Sequence, residues 1–518
     1  MRPEPSTSPA WFPLGLPILA GAALIALVGA RHYASSWHDG SRLATVEALV
    51  DQHTWAIDNS IFVDVPDYPG GQGPYPDGEL RFGTQDKFCI NGRFYTDKPV
   101  PALLLAGAYQ LWQWCGGPTA RARPDWFCWA LILAGAGLPY VIAVGCIDRL
   151  MVVLRLPVSL RLTLTASFAL ATLALPYTRQ VNVHIELLAV LAALVLGVAQ
   201  VSEAMAAGRT PWLRLASLGA LAGLGYTFDL GSGMPLVAGL LAFVALRCRR
   251  IGPVLVTGLA VVPGVALHQA INYSIGGTWR PINAVLEYSS WPGCPFNAVT
   301  LTGTWKHTPG SFALYAASML LGKKGFLLHN LPLLLALPAT FTLWRRRPAT
   351  RPELVFLAGY CVATWAMYAG LSNNSAGVCC SIRWFLPFLA PGFYMLALYL
   401  KECPERRRDL YVLSGWGLVF AALMWREGPW MGHMLPLYWP MVAAALLSWW
   451  ACHAFALPWR KRTDSPARHG GEAVISVHRM SPTSAVQGPE DGRREVSQHV
   501  AAAEERTRTS TPFTGTSS

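Results

Sequence analysis

The amino-acid sequence predicts an all-α polytopic membrane protein with about twelve transmembrane helices and a long first extracytoplasmic loop. Three observations lead there. Of 518 residues, 53% are hydrophobic and only 14% are charged, against roughly 25% charged in soluble globular chains. The apolar residues fall into separated runs close to the ~20 residues a helix needs to cross the hydrocarbon core. The loops between those runs alternate between strongly basic and electrically balanced. Length alone would allow about three soluble domains, but this composition excludes a soluble multidomain enzyme. The net charge of +12 and mean hydropathy of +0.33 fit basic, orientation-setting loops better than a nucleic-acid surface.

The predicted spans lie near residues 12–30, 126–147, 162–178, 186–204, 213–229, 231–247, 252–271, 326–344, 354–371, 384–400, 410–425 and 434–457. The short loops at 148–161, 205–214, 247–250, 345–353, 401–409 and 459–462 carry 19 basic residues and few acidic ones. The alternate segments hold 15 basic and 15 acidic residues. The basic loops therefore face the cytoplasm, and so do both termini. This topology requires Pro101–Trp114 (PALLLAGAYQLWQW) not to span. A run of about 14 residues after a proline suits an interfacial helix, and Phe312–Leu321 is read the same way. A cleaved signal peptide is the weaker reading of the first run, whose leading segment has a single Arg. The expected organisation is a membrane domain over 1–458, with its first outer loop at 31–125, and a disordered cytoplasmic tail over 459–518, where Ser, Thr, Glu, Arg and Gly replace apolar residues.

The eleven cysteines show no CxxC and no metal spacing with histidine. Cys89, Cys294, Cys379 and Cys380 fall on the oxidising side, which leaves one disulfide open without fixing its partners. No P-loop, GxGxxG after a strand or HExxH is present.

Polar chemistry concentrates in the first outer loop. After Asp39, Leu43, Val46, Leu49 and Val50 repeat at helical spacing, so Asp39 reads as the N-cap of that helix. It also reads as a carboxylate at the membrane surface able to take a proton from a nucleophile. The two roles are compatible. The loop closes with Tyr95, Asp97, Lys98 and Pro99 ahead of the interfacial helix. A Lys there suits an anionic headgroup, either a substrate's or that of bulk phospholipid. Other polar groups recur at the outer ends of spans: Arg179, Asn182, His184 and Glu186; Asp229, read as functional or as the partner of Arg179; and Asn374 followed by Arg383 and Trp384. Charges at such depth usually face the bundle interior or a water-filled cavity. Arg383 suits bidentate phosphate binding or anchoring beside Trp384. The loop from Gly276 to His307 adds Trp279, Trp291 and Trp305, rings that suit sugar faces or the interface.

In order and spacing these elements resemble the GT-C glycosyltransferases that use polyprenyl-phosphate sugar donors, such as the aminoarabinose transferases of lipid A and the protein O-mannosyltransferases. Three features carry the resemblance: Asp39 and Arg42 just beyond the first span, the Tyr95-x-Asp97-Lys98-Pro99 element closing the loop, and a bundle of a dozen spans with polar outer ends. It covers roughly residues 10–455. What it implies is an inverting transfer at the extracytoplasmic face, with Asp39 as general base. Arg42, Lys98 and Arg383 would hold the donor phosphate, and Tyr95, Asp97, Arg179, Asn182, His184, Glu186, Asp229 and Asn374 would line the substrate cavity. The implied partners are a lipid-linked sugar donor, the membrane and an acceptor glycolipid, glycan or protein; nucleic acid is not expected. Some relatives carry an acidic residue where Gly40 stands, so neither a metal nor another cofactor is expected. The alternative is a polytopic transporter or a lipid or glycan flippase, but no two-half repeat is visible and the longest link is near the N-terminus rather than midway.

Overall fold

The computed structural model describes residues 15–454 except 77–79, 297–307, 373 and 432–433. The tail at 459–518, the first residues of the run at 12–30, and the Leu301–His307 end of the aromatic loop lie outside the described residues.

The chain is predominantly helical and passes the membrane many times. Among the described residues, six helical segments are long and apolar enough to cross on their own: Pro124–Val153, Val183–Ala206, Leu230–Cys248, Ile251–Gly276, Pro348–Leu371 and Arg383–Glu402. A seventh crossing results if the pair Pro309–His329 and Leu331–Arg346, bent by 110°, counts as one span. Every predicted run falls on helix at least in part, but several are too short. Helix α1 (Leu16–Gly29) has 14 residues, about 21 Å at ~1.5 Å per residue, against a core of about 30 Å.

The first outer loop is built before the bundle proper. Ser36 starts α2 (Trp37–Asp51), which is buried along its first three turns. A hairpin of β1 (Phe88–Ile90) and β2 (Arg93–Tyr95) follows, in the register Phe88↔Tyr95. Its turn, Asn91-Gly92, has positive φ at both residues, the geometry that suits an Asn-Gly hairpin. This strand pair departs from the all-helical expectation. Pro99 then opens α3 (Pro99–Trp114). Its Ala102, Leu105, Ala106 and Tyr109 are buried, whereas Leu103, Leu104, Leu111 and Trp114 are exposed.

Helix α4 (Pro124–Val153) is continuous but takes a π turn at Leu133–Gly137. Then come α5 (Val158–Leu170), α6 (Val183–Ala206), α7 (Trp212–Phe228), α8 (Leu230–Cys248) and α9 (Ile251–Gly276). The rest are α10 (Pro309–Leu321), α11 (Phe326–His329), α12 (Ala336–Arg346), α13 (Arg351–Leu371), α14 (Leu389–Glu402), α15 (Arg407–Glu427) and α16 (Tyr438–Ala454). Helices α7 and α9 meet through Gly219, Gly223 and Gly264, each of which faces backbone across the seam. This close approach is what small residues permit between apolar helices.

Two segments are central. Over its most apolar 18 residues α6 is 72% buried, and the Arg383–Glu402 segment is 89% buried, whereas α9 is 22% buried. Both central helices begin at the same end of the bundle, where α2 and the β2–α3 link also lie. Two interruptions are braced against each other. The chain leaves helix after Leu170 and again at Asn330. Asn330 Oδ1 accepts from the Leu173 amide at 2.8 Å, while its Nδ2 donates to the Phe326 carbonyl at 2.8 Å. Backbone away from water must find such partners.

Candidate active site

The first turn of α2 sets the site. Ser36, with extended backbone, is the N-cap, and its Oγ accepts from the Asp39 amide at 3.3 Å. Asp39 is therefore the third residue of the helix and not its cap. Its carboxylate reaches back to accept from the Ser35 amide at 2.8 Å and from the Ser36 hydroxyl. This is a variant of the capping box, with Asp in place of Glu and with the carboxylate taking the amide of the residue before the N-cap rather than that of the N-cap itself. Gln180 donates to Ser35 Oγ, tying the turn to the segment before α6. Asp39 is fully buried. Burial pushes its pKa up to about 6, against the opposing hydrogen bonds from Ser36 and Ser35.

One turn along, Arg42 is buried and central to a network. It stands 2.7 Å from Asp97 and 3.6 Å from Asp86, and it donates to Thr96 Oγ1 at 3.2 Å. His38 Nδ1 lies 3.2 Å from Asp86 and 3.3 Å from Arg42. Burial, with Arg42 and Arg383 nearby, holds the His38 pKa well below its usual value, so the ring is neutral at pH 7. Lys98, the residue before α3, pairs with Asp229 at 2.9 Å. Asp229 is the N-cap of α8, accepting from Ser232 N at 3.2 Å and from the Tyr368 hydroxyl. Tyr368 stacks on Trp384 at 4.3 Å. Arg383 lies over the Trp430 ring at 4.9 Å, and His38 approaches the same ring at 5.2 Å. Of the three expected phosphate ligands, Arg383 alone has no carboxylate within ion-pair distance among the described residues.

At the start of α6, Asn182 is the N-cap, accepting from His184 N at 2.8 Å. His184 lies within Coulombic reach of Asp229, Lys98, Arg383 and Arg42, and Glu186 within reach of Arg42 and Lys98. Buried polar atoms without a hydrogen-bond partner gather here: His38 Nε2, Asn182 Nδ2, His184 Nδ1, Glu186 Oε2, Arg383 Nε and Trp430 Nε1. Leaving each unmade costs about 1–3 kcal/mol.

Three expected residues are placed otherwise. Arg179 does not pair with Asp229. Its guanidinium donates to the Trp425 and Arg426 carbonyls at the end of α15 and covers the Trp425 ring, a cation on a helix C-terminus. Tyr95 packs in a small apolar cluster with Phe88, Ile90 and Ile282. Asn374 is exposed, and Ser372 Oγ donates to it at 3.2 Å. Conversely, Asp86, Thr96, Tyr368, Trp430 and His38 join the site without having been read as candidates. His38 had a signal, since it precedes Asp39 by one residue and faces Arg42 one turn on. All eleven cysteines are free, so the open disulfide is not formed. No group of three His, Cys, Asp or Glu residues is placed to hold a metal ion among the described residues.

Gly40 has a steric reason for being glycine. A Cβ there would run into the hydroxyl of Tyr75, a buried ring whose Oη bonds the Phe62 carbonyl at 3.2 Å. Gly40→Asp is expected to destabilise by about 1–3 kcal/mol from overpacking alone, read as a lower Tm with α2 partly released. The Lys98–Asp229 pair makes a second expectation. Lys98→Ala leaves a buried carboxylate unpaired and costs about 3–5 kcal/mol, whereas Lys98→Ala with Asp229→Asn recovers most of that in a thermal melt. Only the double variant can then report on substrate use by Lys98.

No protein-family model matches the chain, and no curated protein matches it in sequence. Among solved structures it is similar to ArnT from Cupriavidus metallidurans bound to undecaprenyl phosphate, with 13% identity and a TM-score of 0.44 over 84% of this chain and 75% of that one. It is also similar to the Archaeoglobus fulgidus oligosaccharyltransferase in the apo form, with 14% identity and a TM-score of 0.42 over 85% of this chain and 55% of that one.

Proposed function

We propose that the protein is a membrane glycosyltransferase of the GT-C type that moves a sugar from a polyprenyl-phosphate donor to an acceptor hydroxyl at the extracytoplasmic face. The observation that carries this reading is Arg383: half-buried, seated on Trp430, without a carboxylate partner among the described residues, and amid buried polar atoms that lack partners. A planar, uncompensated guanidinium at the start of a central helix suits a phosphate better than it suits a structural role. Arg42 and Lys98, already paired, add to the field that stabilises the departing phosphate.

In this scheme Asp39 takes the acceptor's proton, the acceptor oxygen bonds to the anomeric carbon with inversion, and the bond to phosphate breaks. The electron pair leaves with the polyprenyl phosphate toward Arg383. For Asp39 to serve, the acceptor hydroxyl must replace the Ser36 hydroxyl as donor to its carboxylate. A pKa near 6 makes that carboxylate a stronger base than an ordinary aspartate while leaving it ionised at neutral pH. The scheme uses no resident cofactor. Twelve crossings, with the short helices completed by adjoining 3-10 or irregular segments, put both termini and the tail in the cytoplasm and the site outside. Helix α3 then lies in the outer interface with its exposed Leu103, Leu104 and Leu111 in lipid.

The test is direct. Purified protein in detergent, given undecaprenyl-phosphate-linked sugars and candidate acceptors, is expected to release undecaprenyl phosphate without any gradient. Activity seen only across sealed vesicles would sink this reading in favour of transport.

A further inference from the structure

A cleft of about 10 Å³, room for a single hydroxyl group and not for a ring, lies beside the Lys98–Asp229 pair, lined by Asp97, Lys98, Thr227, Asp229, His268 and Asn272. Sequence reading did not single out His268, because one histidine in an apolar run usually belongs to the packing. Here it does not pack as a satisfied core residue. His268 is 8% exposed, and neither ring nitrogen makes a hydrogen bond. The Thr227 carbonyl lies nearby without hydrogen-bond geometry. The Tyr226 ring meets it edge-on at 5.4 Å and fixes its plane. Asn272, one turn further along α9, is already committed: its Nδ2 donates to the His268 carbonyl at 2.7 Å and its Oδ1 accepts from Ile282 N at 3.0 Å. His268 is thus the buried polar side chain in this cleft with both a donor and an acceptor to spare.

Charge decides what it would bind. The cleft holds one cation, Lys98, and two carboxylates, Asp97 and Asp229, and both carboxylates are already paired. It has no surplus positive charge for a phosphate. The surplus lies at Arg383, connected to this cleft through Trp384, Tyr368 and Asp229. A hydroxyl donates once and accepts, which matches a neutral imidazole with one N–H and one lone pair.

We infer that His268 recognises a hydroxyl of the donor's sugar ring, and that the donor lies with its sugar toward Lys98, Asp229 and His268 and its phosphate toward Arg383. The inference rests on the glycosyl-transfer reading and adds a specificity-determining residue and a direction to it. Sites built to hydrogen-bond a substrate hydroxyl discriminate strongly against analogues lacking it.

The experiment uses the full-length protein in nanodiscs, wild type and the variants His268→Ala and His268→Asn. The probes are undecaprenyl phosphate alone, the undecaprenyl-phosphate sugar that the wild type turns over, and its monodeoxy analogues. Expected for His268→Ala is a rise of about 10–100-fold in KM for the glycosylated donor, with the Kd for undecaprenyl phosphate changed less than twofold. One deoxy donor that the wild type uses poorly should be used no worse than the parent donor by His268→Ala, and His268→Asn should recover part of the loss. An equal loss for donor and undecaprenyl phosphate, or no loss for either, overturns the inference while leaving the transfer reading standing. If the wild type turns over no donor, the transfer reading falls, and this inference with it.

Discussion

Asp39→Asn is expected to lower kcat by about 10²–10⁴-fold, the range a positioned general base contributes, while the folded chain stays intact. With the asparagine oxygen in the place of Oδ2 it still accepts from the Ser35 amide, and the NH2 in the place of Oδ1 can donate to Ser36 Oγ, so the contacts of the cap survive. The folded chain binds a proton at Asp39 more tightly than the unfolded chain, whose aspartate titrates near 3.8. The associated stability is present below about pH 4 and is lost as pH rises through about 6. At pH 7 a buried charge of this kind costs about 3 kcal/mol, which the asparagine removes. The variant should therefore melt at an equal or higher temperature than the wild type at pH 7 and show a smaller drop in Tm from pH 5 to pH 7. Glu47, pushed up to about 7 by burial against a hydrogen bond from Ser60, keeps part of that drop in the variant. In the wild type, kcat/KM should rise tenfold per pH unit below about 6 and level off above it. Turnover by Asp39→Asn with the same acid limb as the wild type would remove Asp39 from the chemistry.

Arg383→Ala carries the second largest effect. Charge-assisted hydrogen bonds contribute roughly 1.5–3 kcal/mol, so the Kd for undecaprenyl phosphate should rise about 10–100-fold. Tm should change little, because among the described residues no carboxylate loses its partner. Arg383→Lys should fall between, since an ammonium keeps the charge but not the planar fork. Arg42→Ala is a poor substitute for this experiment. It would strand Asp97 and leave Asp86 with His38 alone, and the resulting destabilisation would be confused with lost binding. An unchanged Kd in Arg383→Ala would remove the phosphate from this position.

What the sequence made legible follows from what is local and what is not. Charged residues between apolar runs are costly unless grouped, and Arg42, Asp97, Lys98, His184, Glu186, Asp229 and Arg383 indeed cluster. Helices α2 and α3 were visible through periodicity and through Pro99. The pairings were not. Lys98 and Asp229 are 131 residues apart, and nothing local favours Lys98 over Arg179 as the partner. The cap was misread by one turn, since Ser36 and Asp39 form a reciprocal pair in which either end looks like the start. Asp86 sits in a turn-rich stretch without periodicity. Nothing in the sequence singles out Trp430, and only the fold brings His38 and Arg383 to it. Among the described residues only six or seven of the twelve predicted runs are long enough to cross as single helices, for a related reason. Hydropathy marks apolar runs but does not register where the backbone leaves the helix, as at Ala171 and Asn330.

That last pair of interruptions bears on how the chain is made. The amide of Leu173 is satisfied by a side chain that the ribosome supplies 157 residues later. Until Asn330 has been synthesised and inserted, the segment after α5 holds an unmatched donor in a region poor in water. A nascent chain stopped before residue 330 should therefore hold residues 158–178 in the bilayer less firmly than the finished protein does. Asn330→Leu should fail at late assembly, yielding full-length chains that insert and are then degraded. The brace is a checkpoint in time as well as in space.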